Sequence, residues 1–385
     1  MTPSPPLPQG GGSSALFVGH DIYRRAAYGS LHPLAIPRVE TVVDLCRALG
    51  WLAEGRYEVS PSASEDELAR FHDREYIAAF RRASESGQVD AAVRERHGLG
   101  TMENPIFPGV FERASTSVGG SIRAAQRALE GRIAYHPAGG THHGRPARAS
   151  GFCFFNDPAF AILTLLDAGL RRVAYVDLDA HHCDAVQDAF AADARVRMAS
   201  IHEADRWPHT GAASDDCSGR ALNLPVPRGF HDRELALLID DVVLPFISRF
   251  RPEAIVITCG ADALDGDPLA RMALTNGALW ETVESLSRLA PAAVVLGGGG
   301  YNPWTLARYW SGLWARLSGQ RIPVNLPDAA REVLAKLSCD LVDDEDVRPE
   351  WLASLADPRH DAAVRPGLLA LRDAAIDRHG LRAAA

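Results

Sequence analysis

From about residue 120 onward, short valine- and isoleucine-rich runs alternate with longer segments whose apolar residues recur every three or four positions. The first pattern is that of strands buried on both faces, the second that of amphipathic helices. Strands are predicted over 172–177, 195–201, 254–259 and 292–297, and helices over 233–250, 277–289 and 303–317. Another helix opens at Asn156-Asp157-Pro158, a side-chain cap followed by a first-turn proline, and runs through Ala161, Ile162, Leu165 and Leu166 at helical spacing. Residues 105–129 read as a loop entering a helix rich in small residues, suited to close packing on a sheet. Strand, helix, strand in repetition makes a parallel sheet with helices on its faces, so the fold class is α/β, organised as one domain.

Ligands of open parallel sheets bind beyond the carboxyl ends of the strands. There this sequence collects His, Asp and Gly. Asp177, Asp179, His181 and His182 follow one predicted strand, His202 another, Asp262 and Asp265 a third, and Gly297-Gly298-Gly299-Gly300-Tyr301 a fourth.

Charge and composition then narrow the partners. With 40 Lys+Arg against 49 Asp+Glu the formal net charge is −9, which argues against nucleic acid or another polyanion as partner. No apolar run approaches the roughly 18 residues of a membrane-spanning helix. The six cysteines (Cys46, Cys153, Cys183, Cys217, Cys259, Cys339) contain no CxxC pair, as suits a reducing compartment, and a cytoplasmic location is expected. Residues 1–14, rich in Pro, Gly and Ser, lack the plan of a secretory signal and read as a disordered lead-in.

The segment Asp177-Leu178-Asp179-Ala180-His181-His182-Cys183-Asp184 carries the strongest chemistry. A chain leaving a strand aims alternate residues to one side, which puts Asp179 and His181 together. With Asp262 from a neighbouring strand they make three ligands for a divalent ion, with a coordination position left open, as catalysis requires. In isolation the same residues would serve equally as a surface turn or a helix cap, and Cys183 is better read as a small packing residue than as a fourth ligand.

His142-His143, in the glycine-rich stretch 136–144, can present two imidazoles to one cavity for proton transfer, with Asp177 and Asp184 as tuning carboxylates. The four-glycine run has neither the Lys-Ser/Thr ending of a phosphate loop nor GxGxxG spacing, so nucleotide binding is rejected. Its expected use is to bend the backbone so that the Tyr301 hydroxyl enters the cavity as an oxyanion donor.

Taken together in order, His32-Pro33-Leu34-Ala35-Ile36-Pro37-Arg38, Glu103-Asn104-Pro105-Ile106-Phe107-Pro108-Gly109, His142-His143, Gly151-Phe152-Cys153, the 177–184 segment, Gly260-Ala261-Asp262 and Gly299-Gly300-Tyr301-Asn302 resemble the zinc-dependent histone deacetylase superfamily, which includes bacterial acetoin-utilisation proteins and acetylpolyamine amidohydrolases. The likeness spans residues 17–317. It implies an arginase-deacetylase fold with about eight parallel strands, and metal ligation by Asp179, His181 and Asp262, with zinc as the ion and Fe(II) as the alternative that such donors admit. It further implies His143 as general base and then acid held by Asp184, His142 paired with Asp177 in an electrostatic role, and Tyr301 polarising the amide carbonyl. Phe152 and Trp207 match the walls of an acyl-lysine tunnel, Leu269 completes its lining, and the Gly151 carbonyl accepts the substrate N–H. A potassium site is implied at Asp177 and Ser200 with backbone carbonyls around Asp179, His181 and Ile201.

On this resemblance 15–320 is expected to be the catalytic domain and 321–385 a helical extension packed on it. The expected partner is an N-acylated amine, either acetyl-lysine in a protein or an acetylpolyamine. Three departures stand out: Cys183-Asp184-Ala185 replaces Gly-Asp-Gly, Trp207 replaces the usual Phe, and Glu103 stands where class I relatives carry an Asp at the rim, where it could attract a cationic nitrogen. The competing readings are a catalytically silent acyl-binding protein, which would lack a ligand, the base or the tyrosine, and a two-metal ureohydrolase, which would need further Asp ligands.

Overall fold

The computed structural model describes residues 15–25 and 28–382; the expectation for residues 1–14 lies outside them. Eight strands form one sheet: β1 (Leu16–Gly19), β2 (Tyr57–Val59), β3 (Ile133–His136), β4 (Val173–Asp177), β5 (Val196–Glu203), β6 (Ala221–Val226), β7 (Ala254–Thr258) and β8 (Ala292–Leu296). Their order is β2-β1-β3-β8-β7-β4-β5-β6, and every pairing is parallel.

Residues of β4, β7 and β8 are buried throughout, because helices cover both faces. Alternation sorts their side chains. Ala174, Val176, Ile255, Ile257, Ala293 and Val295 face a core built with the helices Val39–Ala48, Asn276–Ser287 and Pro303–Ser318. Val173, Tyr175, Val256 and Val294 face the helices Val110–Leu129, Asp157–Asp167 and Asp184–Phe190. Cys183 is buried in that second core and is not among the grouped metal-ligand atoms. Beyond residue 320, Leu334, Trp351, Leu355, Leu368 and Leu381 join the first core.

One predicted element differs. The helix expected over 233–250 is Asp232–Leu238 and Leu244–Phe250 joined by a π-helical turn, Ile239–Val243. Pro245 has no N–H to donate back to the preceding turn, and the wider turn absorbs that gap.

Register places the chemistry. The loops after β3, β8, β7 and β4, four consecutive strands at the sheet's centre, carry in turn His142-His143, Tyr301, Asp262 and the 177–184 segment. Among the described residues no helix is long and apolar enough to cross a membrane.

Among the buried histidines that hydrogen-bond backbone carbonyls, His72 meets those of Arg145 and Pro146 and His202 that of Gly211. Burial pushes both imidazoles down to about 3. Below pH 6.5 the unfolded chain therefore binds protons that the folded chain refuses, so stability is full above that pH and is lost as pH falls. Each contributes up to about 1.4 kcal/mol per pH unit between their unfolded and folded values. Urea midpoints measured at pH 7.5, 5.5 and 4.5 should fall steadily; a flat profile would contradict the burial argument.

Candidate active site

At the end of β4 the chain turns sharply, and the turn is held by its own carboxylates. Asp177 Oδ1 accepts from the Asp179 N–H at 3.0 Å, and Asp179 Oδ1 accepts from the His181 N–H at 2.9 Å. Asp262, in the short 3-10 turn Ala261–Ala263 after β7, faces them and accepts from the Ala180 N–H at 3.1 Å. Ligand atoms of Asp179, His181 and Asp262 all lie within 4.8 Å of one another. Both carboxylates are fully buried. Burial and the charge of Asp179 push the Asp262 carboxyl up, whereas for Asp179 the neighbouring His142 and His181 outweigh burial and hold it down.

Such a pair needs a cation. Among the described residues His181 is shared between the two carboxylates, its Nδ1 3.1 Å from Asp179 and 2.9 Å from Asp262, which raises the imidazole to about 10 despite burial, while His142 stands 3.9 Å from Asp179. Two hard oxygens and one imidazole nitrogen in a buried pocket suit a divalent ion such as zinc.

The glycine run lies directly against these carboxylates. A Cβ on Gly299 would come within 2.1 Å of Asp262 Oδ2, and the Gly299 N–H donates to Asp179 Oδ2 at 2.6 Å. Its glycines are thus required for close approach as well as for the bend toward Tyr301.

The paired histidines arrive from the loop after β3. His142 Nδ1 meets Asp177 Oδ2 at 2.8 Å, and His143 Nδ1 meets Asp184 Oδ1 at 2.7 Å. Their environments split them. Burial opposes the protonation of His142, but Asp177 and Asp179 outweigh it and hold the imidazole up at about 9; burial and the charge of His142 press His143 down to about 3. Asp184 is lowered to about 2 against burial by His143 and by Arg145, which donates to its second oxygen at 2.6 Å.

Tyr301 is buried, and burial with the nearby Asp262 and Asp179 raises its phenol well above 10, so it remains a hydroxyl donor. Its backbone N–H is held by Asp267 at 2.7 Å.

One cavity joins His142, His143, Asp179, His181 and Tyr301, with Gly151 and Phe152 in its wall. Phe152 and Tyr301 stand edge to face, 5.8 Å between ring centroids, and Trp207 stands 4.6 Å from His143. Glu103, Trp207 and Leu269 are not in the lining of that cavity. Trp207 is 38% exposed beside it. Leu269 is tied by its N–H to Asp267. Glu103 points inward, its Oε1 accepting from the Gly151 N–H at 2.7 Å and its Oε2 from the Asn104 amide at 3.3 Å. Ser200 lies opposite Asp177 in the β4–β5 register and hydrogen-bonds His202; Ile201 follows in β5. Sequence reasoning assigned no role to Arg38, which lines the cavity and donates to the Gly298 carbonyl; its only signal was the 32–38 motif.

Residues 32–317 match the histone deacetylase domain. The chain belongs to the histone deacetylase family. It is 33% identical over 302 residues to histone deacetylase 8 of Xenopus tropicalis, covering 76% of this chain and 81% of the relative. To the acetoin utilization protein AcuC of Bacillus subtilis (strain 168) it is 33% identical over 321 residues, 79% of this chain and 82% of that protein. The crystal structure of an HDAC homologue from Aquifex aeolicus superposes with a TM-score of 0.90 at 33% identity, over 94% of this chain and 99% of that one. A crystal structure of an HDAC homologue complexed with SAHA matches with the same TM-score at 34% identity. The fold is therefore that of the arginase-deacetylase class, and the protein is a hydrolase of the deacetylase type, a family in which zinc dependence is general.

Proposed function

We propose that this deacetylase removes an acetyl or other short acyl group from an acyl-lysine side chain, with zinc held by Asp179, His181 and Asp262. The observation that carries the reading is the convergence on one cavity of Asp179, His181, the two carboxylate-paired histidines and the un-ionised Tyr301, with Asp262 grouped behind them against Asp179 and His181. Bound zinc would supply Lewis acidity to the amide carbonyl and to the attacking water.

The remaining steps belong to the chain. His143, neutral and oriented through Nδ1 by Asp184, takes a proton at Nε2 from the attacking water and returns it to the departing amine. His142, held charged between Asp177 and Asp179 in the metal-free chain, stabilises negative charge without accepting a proton. Tyr301 donates its hydroxyl hydrogen to the developing oxyanion. The Gly151 carbonyl receives the substrate N–H, while Phe152 and Trp207 flank a slender aliphatic arm and exclude water from it, with Leu269 extending that apolar wall once substrate is bound.

Acyl-lysine is favoured over a polyamine because Glu103 is turned onto the Gly151 N–H and the Asn104 amide, which directs its carboxylate toward the chain rather than toward a second cationic nitrogen. Potassium is proposed at Asp177 and Ser200 with the carbonyls near Asp179, His181 and Ile201.

A substrate panel tests this. Zinc-loaded protein, assayed with and without KCl, should hydrolyse acetyl-lysine peptides in preference to N-acetylputrescine and acetylspermidine, be blocked by a hydroxamate, and lose activity without potassium. Tyr301→Phe should lower kcat by about 100-fold with little change in KM. Inactivity on every acylated amine would refute the function, and preference for acetylpolyamines would refute the substrate class.

A further inference from the structure

Asn156 and Asp157 open a helix, yet both side chains are fully buried and reach back to the loop that carries the paired histidines. The Asp157 carboxylate accepts four hydrogen bonds. Oδ2 takes the Gly140 N–H at 3.0 Å and the Ser121 hydroxyl at 2.5 Å, and Oδ1 takes the Thr141 N–H at 2.7 Å and the Thr141 hydroxyl. Asn156 does the converse. Its Nδ2 donates to the carbonyls of His142 at 3.3 Å and Gly144 at 3.0 Å, while its Oδ1 caps the helix at the Ala159 N–H.

Donors before the histidines and carbonyls around them are thus gripped from one dipeptide. The fit is close: a Cβ on Gly144 would lie 2.6 Å from the Phe155 carbonyl carbon and 2.8 Å from the Asn156 nitrogen. His72 extends the grip, accepting the Asn156 N–H at Nε2 and contacting the Arg145 and Pro146 carbonyls through Nδ1. None of these three side chains is among the grouped metal-ligand atoms or in the lining of the catalytic cavity.

We infer that Asn156 and Asp157 are positioning residues of the deacetylase reaction, clamping the backbone of residues 140–144 so that His142 and His143 stand against Asp177 and Asp184. This rests on the proposed function for its kinetic consequence but not for its geometry. An imidazole displaced by about 1 Å can lose on the order of 100-fold in rate without any loss of binding.

Asn156→Ser separates clamping from capping, because serine retains the N-cap acceptor and removes both amide donors. Asp157→Asn is a second, nearly isosteric variant that sets an amide NH2 against one backbone N–H, Gly140 or Thr141, a donor–donor conflict that the accompanying hydroxyl escapes by rotating to accept. Both are to be measured as full-length protein, for kcat and KM on an acetyl-lysine peptide after zinc loading, for thermal midpoint, and metal-free by proton NMR of the low-field imidazole N–H signals that carboxylate-bound His142 and His143 should give.

The expected result is a 10- to 100-fold fall in kcat with KM within about twofold of wild type, a thermal midpoint little changed in Asn156→Ser, and shifted or broadened imidazole N–H signals in both variants. Unchanged kcat with unchanged imidazole signals in Asn156→Ser overturns the inference. So does activity lost only in proportion to the folded fraction. Should wild type prove inactive on acyl amines, the proposed function fails, while the metal-free NMR comparison still decides the clamp.

Discussion

Asp262→Ala will abolish zinc binding and lower kcat/KM by on the order of 1,000-fold or more. The magnitude follows from Lewis acidity, which contributes several kcal/mol to the transition state, each 1.36 kcal/mol being a factor of ten. The variant leaves Asp179 and His181, two donors where catalytic zinc sites use three. Folding should tolerate the change. In the metal-free chain Asp262 and Asp179 are buried carboxylates that repel each other, as the raised Asp262 carboxyl reflects, so removing one relieves a strain. The Ala180 N–H loses its acceptor in the alanine variant, and Asp262→Asn restores that acceptor without the charge. Thermal shift reads the metal directly: at 100 times its dissociation constant zinc should stabilise the wild type by about 2.7 kcal/mol and the variants not at all. A variant that retains stoichiometric zinc by metal analysis, or wild-type turnover, would remove Asp262 from the ligand set.

The central strands were legible because burial on both faces leaves their sequence almost wholly apolar. β7 and β8 read as Ala254–Thr258 and Ala292–Leu296 with no polar interruption before their ends. The other strands lacked that signature. β1 has four residues, β2 is a half-exposed edge of three, and β6 is interrupted by Asn223 and Pro225. Strand order is set by crossovers whose direction spacing alone does not encode, so the placement of β7 between β4 and β8 had to come from the structure.

At the site, groups were readable where local chain geometry brings them together and were missed where a distant contact redirects a side chain. Asp179 and His181 are two residues apart on one turn, so their shared side followed from alternation. The inward turn of Glu103 depends on Gly151, 48 residues away. The hold of Asn156 and Asp157 on the histidine loop reaches back as many as 17 residues, and in sequence it is hidden behind an ordinary helix cap.

His143→Ala will lower kcat by about 1,000- to 10,000-fold, the upper range for loss of a general base, and His142→Ala will cost at least about tenfold less. The two imidazoles differ by environment rather than by kind. Asp184 holds the Nδ1 side of His143, and burial with the charge on His142 keeps the ring neutral, so its Nε2 can accept a proton. His142 lies between Asp177 and Asp179 with its proton retained up to about 9 in the metal-free chain; a dication on Asp179 would draw that value down. Removing His142 also lifts the charge that depresses His143, which makes the remaining base stronger and offsets part of the loss. Single-turnover kinetics on an acetyl-lysine peptide with zinc-loaded variants separates the chemical step from product release, and added imidazole should restore part of the rate to His143→Ala alone. Equal losses in the two variants, or a larger one in His142→Ala, would reverse the assignment of base and electrostatic partner.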